Sequence, residues 1–102
     1  MLLMKKRFFE AIRSGEKTTT LRYWRRCMVR PGTLSTVPGL GKVLIEAAEA
    51  VDPDQLTDAD ARSDGFADLA ELRSALHELY PAEQREGRKL YLVRFRLANG
   101  GR

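Results

Sequence analysis

Sulfur and imidazole are scarce in this sequence: Cys27 is its only cysteine and His77 its only histidine. A single cysteine excludes an intramolecular disulfide, and the pair cannot build a zinc site of the Cys-rich kind. Metal chemistry would have to rest on carboxylates, and no spacing of Asp and Glu argues for it, so neither metal nor cofactor is expected. Long apolar runs are missing too. No stretch approaches the ~20 residues of a membrane span. Met1-Leu2-Leu3-Met4 precedes Lys5-Lys6-Arg7, whereas a secretory signal places its charge first. A cytoplasmic protein without membrane contact is therefore expected. Repeats and low-complexity tracts are absent, and Gly39-x-Gly41 lacks the third glycine and following helix of a dinucleotide fingerprint.

What is present fits one small domain. The 102 residues leave no room for a second core, and residues 1–102 are read as a single domain, expected to be a monomer. Apolar residues make up 43% and charged residues 31%, the balance of a globular chain rather than a disordered one. A chain this short buries only about two-thirds of its unfolded surface, so a binding cleft must lie at the edge of the core.

Charge is distributed unevenly. Residues 1–30 hold nine Lys and Arg against Glu10 and Glu16, whereas residues 43–80 hold ten acids against Arg62 and Arg73. If the two chain ends meet, a basic face stands beside an acidic one, and such a field attracts a phosphate backbone. A plainly solvated, solubilising surface is the alternative.

The apolar pattern then sets the elements. Residues 1–4 fit a short first strand. Phe8, Phe9 and Ile12 follow helical spacing up to Ser14, and Gly15 suits the left-handed stop. Thr18 to Trp24 reads as a strand and Thr33 to Val37 as a shorter one. Lys42 to Val51 reads as a strand with a bulge, since Glu46 and Glu49 break its alternation. Thr57 with Asp60, and Asp68 with Glu71, mark two helix starts. Leu69, Leu72, Leu76 and Leu79 give the second helix an apolar face that ends before Pro81. Residues 82–88 read as a polar loop, Leu90 to Leu97 as the last strand, and Asn99-Gly100-Gly101-Arg102 as a frayed tail. Strands at both ends with helices between them imply an α+β fold, a small β-barrel with helices packed on it.

The junction Gly15-Glu16-Lys17-Thr18-Thr19-Thr20-Leu21-Arg22 is the main candidate site. Side chains leaving a helix end for a strand project from a rigid frame. Thr18, Thr20 and Arg22 share one strand face, with Lys17 in the turn before them. An ammonium, hydroxyls and a guanidinium so placed bind an anion, and a lysine with a depressed pKa activates a hydroxyl. The alternative is a solvated lysine beside threonines present for their β propensity. Tyr23 and Trp24 stand among Arg22, Arg25 and Arg26, an interleaving that stacks bases and holds phosphates; alternatively Trp24 packs in the core. Cys27 reads as a small buried apolar residue and His77 as the edge of a helix face.

Gly15-x-Lys17-x-x-Thr20-x-Arg22 after a short helix resembles the signature of the ASCH domain, a PUA-like β-barrel family. Leu56-Thr57-Asp58, Asp64-Gly65-Phe66, Leu69-Ala70-Glu71-Leu72 and Leu79-Tyr80-Pro81 are similar to that family's helical insertion, and Tyr91 to Phe95 to its last strand. The resemblance implies a groove between barrel and helices that binds RNA, and the residues expected to do so are Lys17, Thr18, Arg22, Tyr23, Trp24, Arg25 and Arg26. It also implies a rival activity, an amidohydrolase removing the acetyl group from N4-acetylcytidine. The family's lysine, threonine and acid then fall on Lys17, Thr20 and Asp64. The acid is a departure, Asp in place of Glu and one methylene shorter. The partner implied is RNA or a modified nucleoside.

Overall fold

The structure is a computed structural model that describes residues 1–98; the Asn99-Gly100-Gly101-Arg102 tail lies outside the described residues. Its centre is a curled antiparallel sheet of four strands, β1 (Thr19–Trp24), β2 (Leu34–Val37), β3 (Gly41–Val51) and β4 (Lys89–Leu97), in the order β1-β4-β3-β2. The helices are α1 (Phe9–Ser14), α2 (Asp58–Ser63), α3 (Leu69–Leu79) and α4 (Ala82–Arg85). The α+β expectation holds, but the barrel does not close. β1 and β2 remain the two edges of a half-barrel.

The edges are covered by other means. Residues 1–4, expected as a strand, form none; instead the Leu2 amide donates to Thr36 O on the outside of β2 at 2.8 Å, and the Leu2 side chain is buried. At the other edge the Thr18 amide donates to Ser63 O at 2.8 Å, which fastens the end of α2 to the start of β1. An edge capped in this way has fewer free groups for unwanted pairing.

Both faces of the sheet are buried. In β4, Val93 and Phe95 enter one core with Phe9 and Ile12 of α1 and Val43 and Ile45 of β3. Leu90 enters the other with Leu21 and Tyr23 of β1, Ala61 of α2 and Leu72 of α3. The expected bulge in β3 falls between Ile45 and Ala47, where the pairing with β4 slips. One extra residue inverts the alternation, so Ile45 and Ala48 both pack toward the first core while Glu46 turns out to meet Arg96 at 3.1 Å.

The helix boundaries follow the capping chemistry. Thr57 and Asp60 complete a reciprocal capping box on α2, and Asp68 accepts from the Glu71 amide at 2.9 Å at the start of α3. The helix expected to end at Ser14 opens with a 3-10 turn, Lys6–Phe8. Residues 82–85, expected as loop, form α4. Ala, Glu, Gln and Arg are good helix formers, and Pro81 supplies the carbonyl that accepts from Gln84 and Arg85.

Gly65 ends α2 with φ of 95°, and a Cβ there would lie 3.3 Å from Phe8 Cδ1 and 3.4 Å from Lys17 Cδ. Gly32 has φ of 86° but open space around it. Gly65→Ala should therefore lose more than the about 1–2 kcal/mol that left-handed backbone alone costs, and Gly32→Ala no more than that. Urea unfolding of both variants checks the order.

Candidate functional site

The open edge of β1 is where the sequence candidates meet. Phe95 donates to Thr18 O at 2.9 Å, and the register continues as Thr20 opposite Val93 and Arg22 opposite Tyr91. Alternation then gives the Thr18 carbonyl, Thr20 and Arg22 the bonds to β4, and turns the backbone of Thr19, Leu21 and Tyr23 toward the open edge. Thr19 O on that edge accepts from Lys17 Nζ at 2.8 Å.

Lys17 arrives there because of the turn before it. Gly15 takes the left-handed conformation at φ of 86°, and the Lys17 amide returns to Ala11 O at 2.9 Å. The side chain then runs inward, with only 4% of the residue exposed. Besides Thr19 O, Nζ donates to Asp64 O at 2.6 Å and forms an ion pair with Asp64 Oδ1. These three acceptors match the three N–H bonds of an ammonium. The Phe8 ring lies 4.7 Å from Nζ, a cation–π contact in a dry place.

Asp64 reaches the lysine from the end of α2. Its backbone is still helical, at φ of −86°, and Gly65 reverses the chain immediately after it. Burial is the main influence on both charges. It pushes the Lys17 ammonium below its usual range and the Asp64 carboxyl above its own, each toward its neutral form. The attraction between the two opposes both shifts, while the Arg22 charge lowers both. Burial likewise lowers Arg22.

Thr20 is 6% exposed, and its Oγ1 accepts from Arg22 Nε at 3.0 Å. Accepting that bond leaves the threonine proton free to go elsewhere. Arg22 Nη2 also donates to Leu3 O, which holds the guanidinium across the strand edge.

Lys17, Thr20, Arg22 and Asp64 all lie in the wall of a cavity of about 310 Å³. The rest is largely apolar: Leu72, Leu76, Leu79 and Tyr80 on one side, Phe8, Phe66, Leu3 and Met4 on the other, with Lys5 and Arg7 beside them. Phe8 and Phe66 meet edge to face, with ring centroids 5.5 Å apart. The sequence marked none of these apolar residues as part of a site, because helical spacing alone assigns Phe8, Leu76 and Leu79 to the core. Leu3 and Leu79, which keep 65% and 49% exposure, show where the cavity meets solvent.

Other candidates lie elsewhere. Thr18 is half-buried outside the cavity wall. Tyr23 is buried against Tyr80, centroids 5.3 Å apart, and Trp24 packs on the first core and on Tyr91 at 5.9 Å. Arg25 and Arg26 are exposed beyond the end of β1. Cys27, expected to be buried, is exposed, because the chain after β1 is irregular and has left the sheet. Among the described residues no three His, Cys, Asp or Glu side chains stand close enough together to hold a metal ion, and no helix is long and apolar enough to cross a membrane.

No family model matches the chain, and neither does any curated protein. Solved structures do. The crystal structure of hypothetical protein PH0355 superimposes with a TM-score of 0.77 at 16% identity, covering 92% of this chain and 94% of that one. An ASCH domain from Lactobacillus crispatus JV V101 gives a TM-score of 0.71 at 21% identity, over 86% of this chain and 68% of the other. Protein EF3133 from Enterococcus faecalis V583 gives 0.66 at 16% identity, over 90% and 70%. The chain therefore has the fold of the ASCH domain.

A buried ion pair contributes little net stability, yet breaking it strands a charge. Lys17→Met alone should cost about 3–5 kcal/mol, whereas Lys17→Met combined with Asp64→Leu should fold at least nearly as well as the native chain. Chemical denaturation of the three proteins checks this; equal losses in single and double variants would contradict it.

Proposed function

We propose that this protein is an amidohydrolase acting on a small acylated nucleobase of the N4-acetylcytidine type, bound in the cavity at the β1 edge. The observation that carries the proposal is the buried Lys17–Asp64 pair in the wall of a largely apolar cavity that Thr20 also lines. Two ionisable groups that burial drives toward their neutral forms, lining a cleft, are what acid–base chemistry near neutral pH requires. The cavity volume of about 310 Å³ lies at the small end of sites for such ligands.

The chemistry balances with these residues alone. With the pair in its neutral state, the Lys17 amine takes the Thr20 proton as Thr20 Oγ1 bonds to the amide carbonyl carbon. Protonated Asp64 gives its proton to the departing ring amine as the C–N bond breaks. Lys17 is now an ammonium, Asp64 a carboxylate, and the acetyl group is an ester of Thr20. Asp64 then takes a proton from water as that water attacks the ester, and Lys17 returns one to the Thr20 oxygen as acetic acid leaves, ionising to acetate in solution. Arg22 Nε, already bonded to Thr20 Oγ1, stabilises negative charge on that oxygen in both steps. Leu21 N–H and C=O, facing the open edge, offer a donor and an acceptor to the edge of a pyrimidine.

Asp64 stands where the resembling enzymes have glutamate, and its carboxylate touches the lysine despite the missing methylene.

RNA binding is the second reading, favoured by Lys5 and Arg7 beside the cavity and the exposed Arg25 and Arg26 after β1. An acylated base presented on a strand would enter the cavity while these cations meet phosphates. Affinity for single-stranded RNA should then fall with salt at a log–log slope of about −0.7 per phosphate contact; a slope near zero rules it out.

Acetate release from N4-acetylcytidine tests the enzyme. Turnover should be lost in Thr20→Val, and a variant within about tenfold of native would overturn the nucleophile assignment. The pH profile of kcat/KM should be a bell. Activity falls at high pH as Asp64 loses its proton and at low pH as Lys17 gains one. Both limbs lie inside the interval from 3.8 to 10.5, the usual values of the two groups, because burial moves each inward. A profile flat across that interval contradicts the relay.

A further inference from the structure

A second cavity, of about 250 Å³, lies on the far side of Leu76, whose side chain belongs to both walls. Tyr23, Leu56 and Leu76 form part of its lining, and Arg73, His77 and Arg85 also face it. Arg73 and His77 stand four residues apart on α3 and so share one face of that helix. Arg85 comes from α4, the helix that the sequence pattern did not reveal.

Its charge is unbalanced. Asp54 is the one acid on the wall among the described residues, and neither arginine lies within ion-pair distance of it or of any other described carboxylate. Arg85 Nε is sealed from solvent with no acceptor among the described residues. A guanidinium held with part of its donor capacity unmet is a local cost, and a bound anion is one of the recognised reasons for such an arrangement. Two arginines lining one small concave space, one of them with an unmet buried donor, match a tetrahedral oxyanion, which takes several donors at once.

We infer that this second cavity is a binding site for a phosphate-sized oxyanion, held by Arg73 and Arg85 with His77 at the mouth. The anion is free phosphate or the phosphate group of a nucleotide. The site is independent of the amidohydrolase reading, since none of its donors belongs to the first cavity.

Inorganic phosphate is the probe, with binding followed by titration calorimetry and by the chemical shifts of the single histidine. Saturable binding is expected, with the His77 ring signals shifting. Arg73→Ala and Arg85→Gln should each weaken it about tenfold or more, the effect of losing a charged hydrogen bond. Arg13→Ala, on α1 and outside both cavities, should leave it unchanged. All three variants should keep the native circular dichroism and melting temperature; Arg73→Lys serves as a replacement should Arg73→Ala unfold. Cytidine 5′-monophosphate distinguishes the source: one-for-one displacement of phosphate identifies a nucleotide phosphate, and no displacement identifies the free ion. No saturable binding, or binding equally strong in the Arg73→Ala/Arg85→Gln double variant, overturns the inference.

Discussion

The ion pair between Lys17 and Asp64 joins parts of the molecule that are otherwise linked by the Thr18–Ser63 backbone bond and by side-chain packing. Lys17 belongs to the turn between α1 and β1, and Asp64 to the end of α2. The lysine amine reaches Asp64 through both its carboxylate and its backbone carbonyl, and takes Thr19 O as well. Two helices on opposite faces of the sheet are thereby tied to one strand edge. Any apolar pair of the right volume could fill that space; an ion pair there needs another reason, because desolvating two charges offsets most of their attraction. Proton exchange inside a cleft is such a reason.

The open half-barrel explains why the cleft exists. A closed barrel would bond the Leu21 and Tyr23 backbones to another strand. With β1 left as an edge, those groups and the residues beside them are available, and α3 forms the opposite wall. The bulge at Glu46 has a related effect on β3. It lets one long strand serve the first core before the bulge, through Val43 and Ile45, and again after it, through Ala48. Size is the constraint throughout. With so short a chain, the cleft is formed at the sheet margin, where helices overhang the edge.

Much of this was legible in the sequence, for identifiable reasons. Local rules decide capping, and Thr57 with Asp60 and Gly15 after Ser14 follow them. The turn-to-strand cluster of Lys17, Thr20 and Arg22 was readable because strand alternation places Thr20 and Arg22 together. The reach of Asp64 was not readable from local rules; a contact spanning 47 positions depends on how α2 docks, and only resemblance to a family suggested it. Tyr23 and Trp24 look alike in the sequence, yet alternation sends one to each core and neither to the first cavity. The apolar walls were hidden for the opposite reason. Leu76 and Leu79 fit a core stripe so well that their second role, as the lining of a cavity, leaves no separate mark. Barrel closure and the strand at residues 1–4 failed because edges can be capped by a single amide, as Leu2 does on β2.

A rapid-quench experiment on N4-acetylcytidine, read by intact mass and peptide mapping, tests the central claim most directly. The account predicts a transient adduct of one acetyl group, mapped to Thr20, that forms as cytidine appears and decays as acetate is released. Cytidine formed without any acetylated protein, or an acetyl group mapped to a different residue, would contradict it.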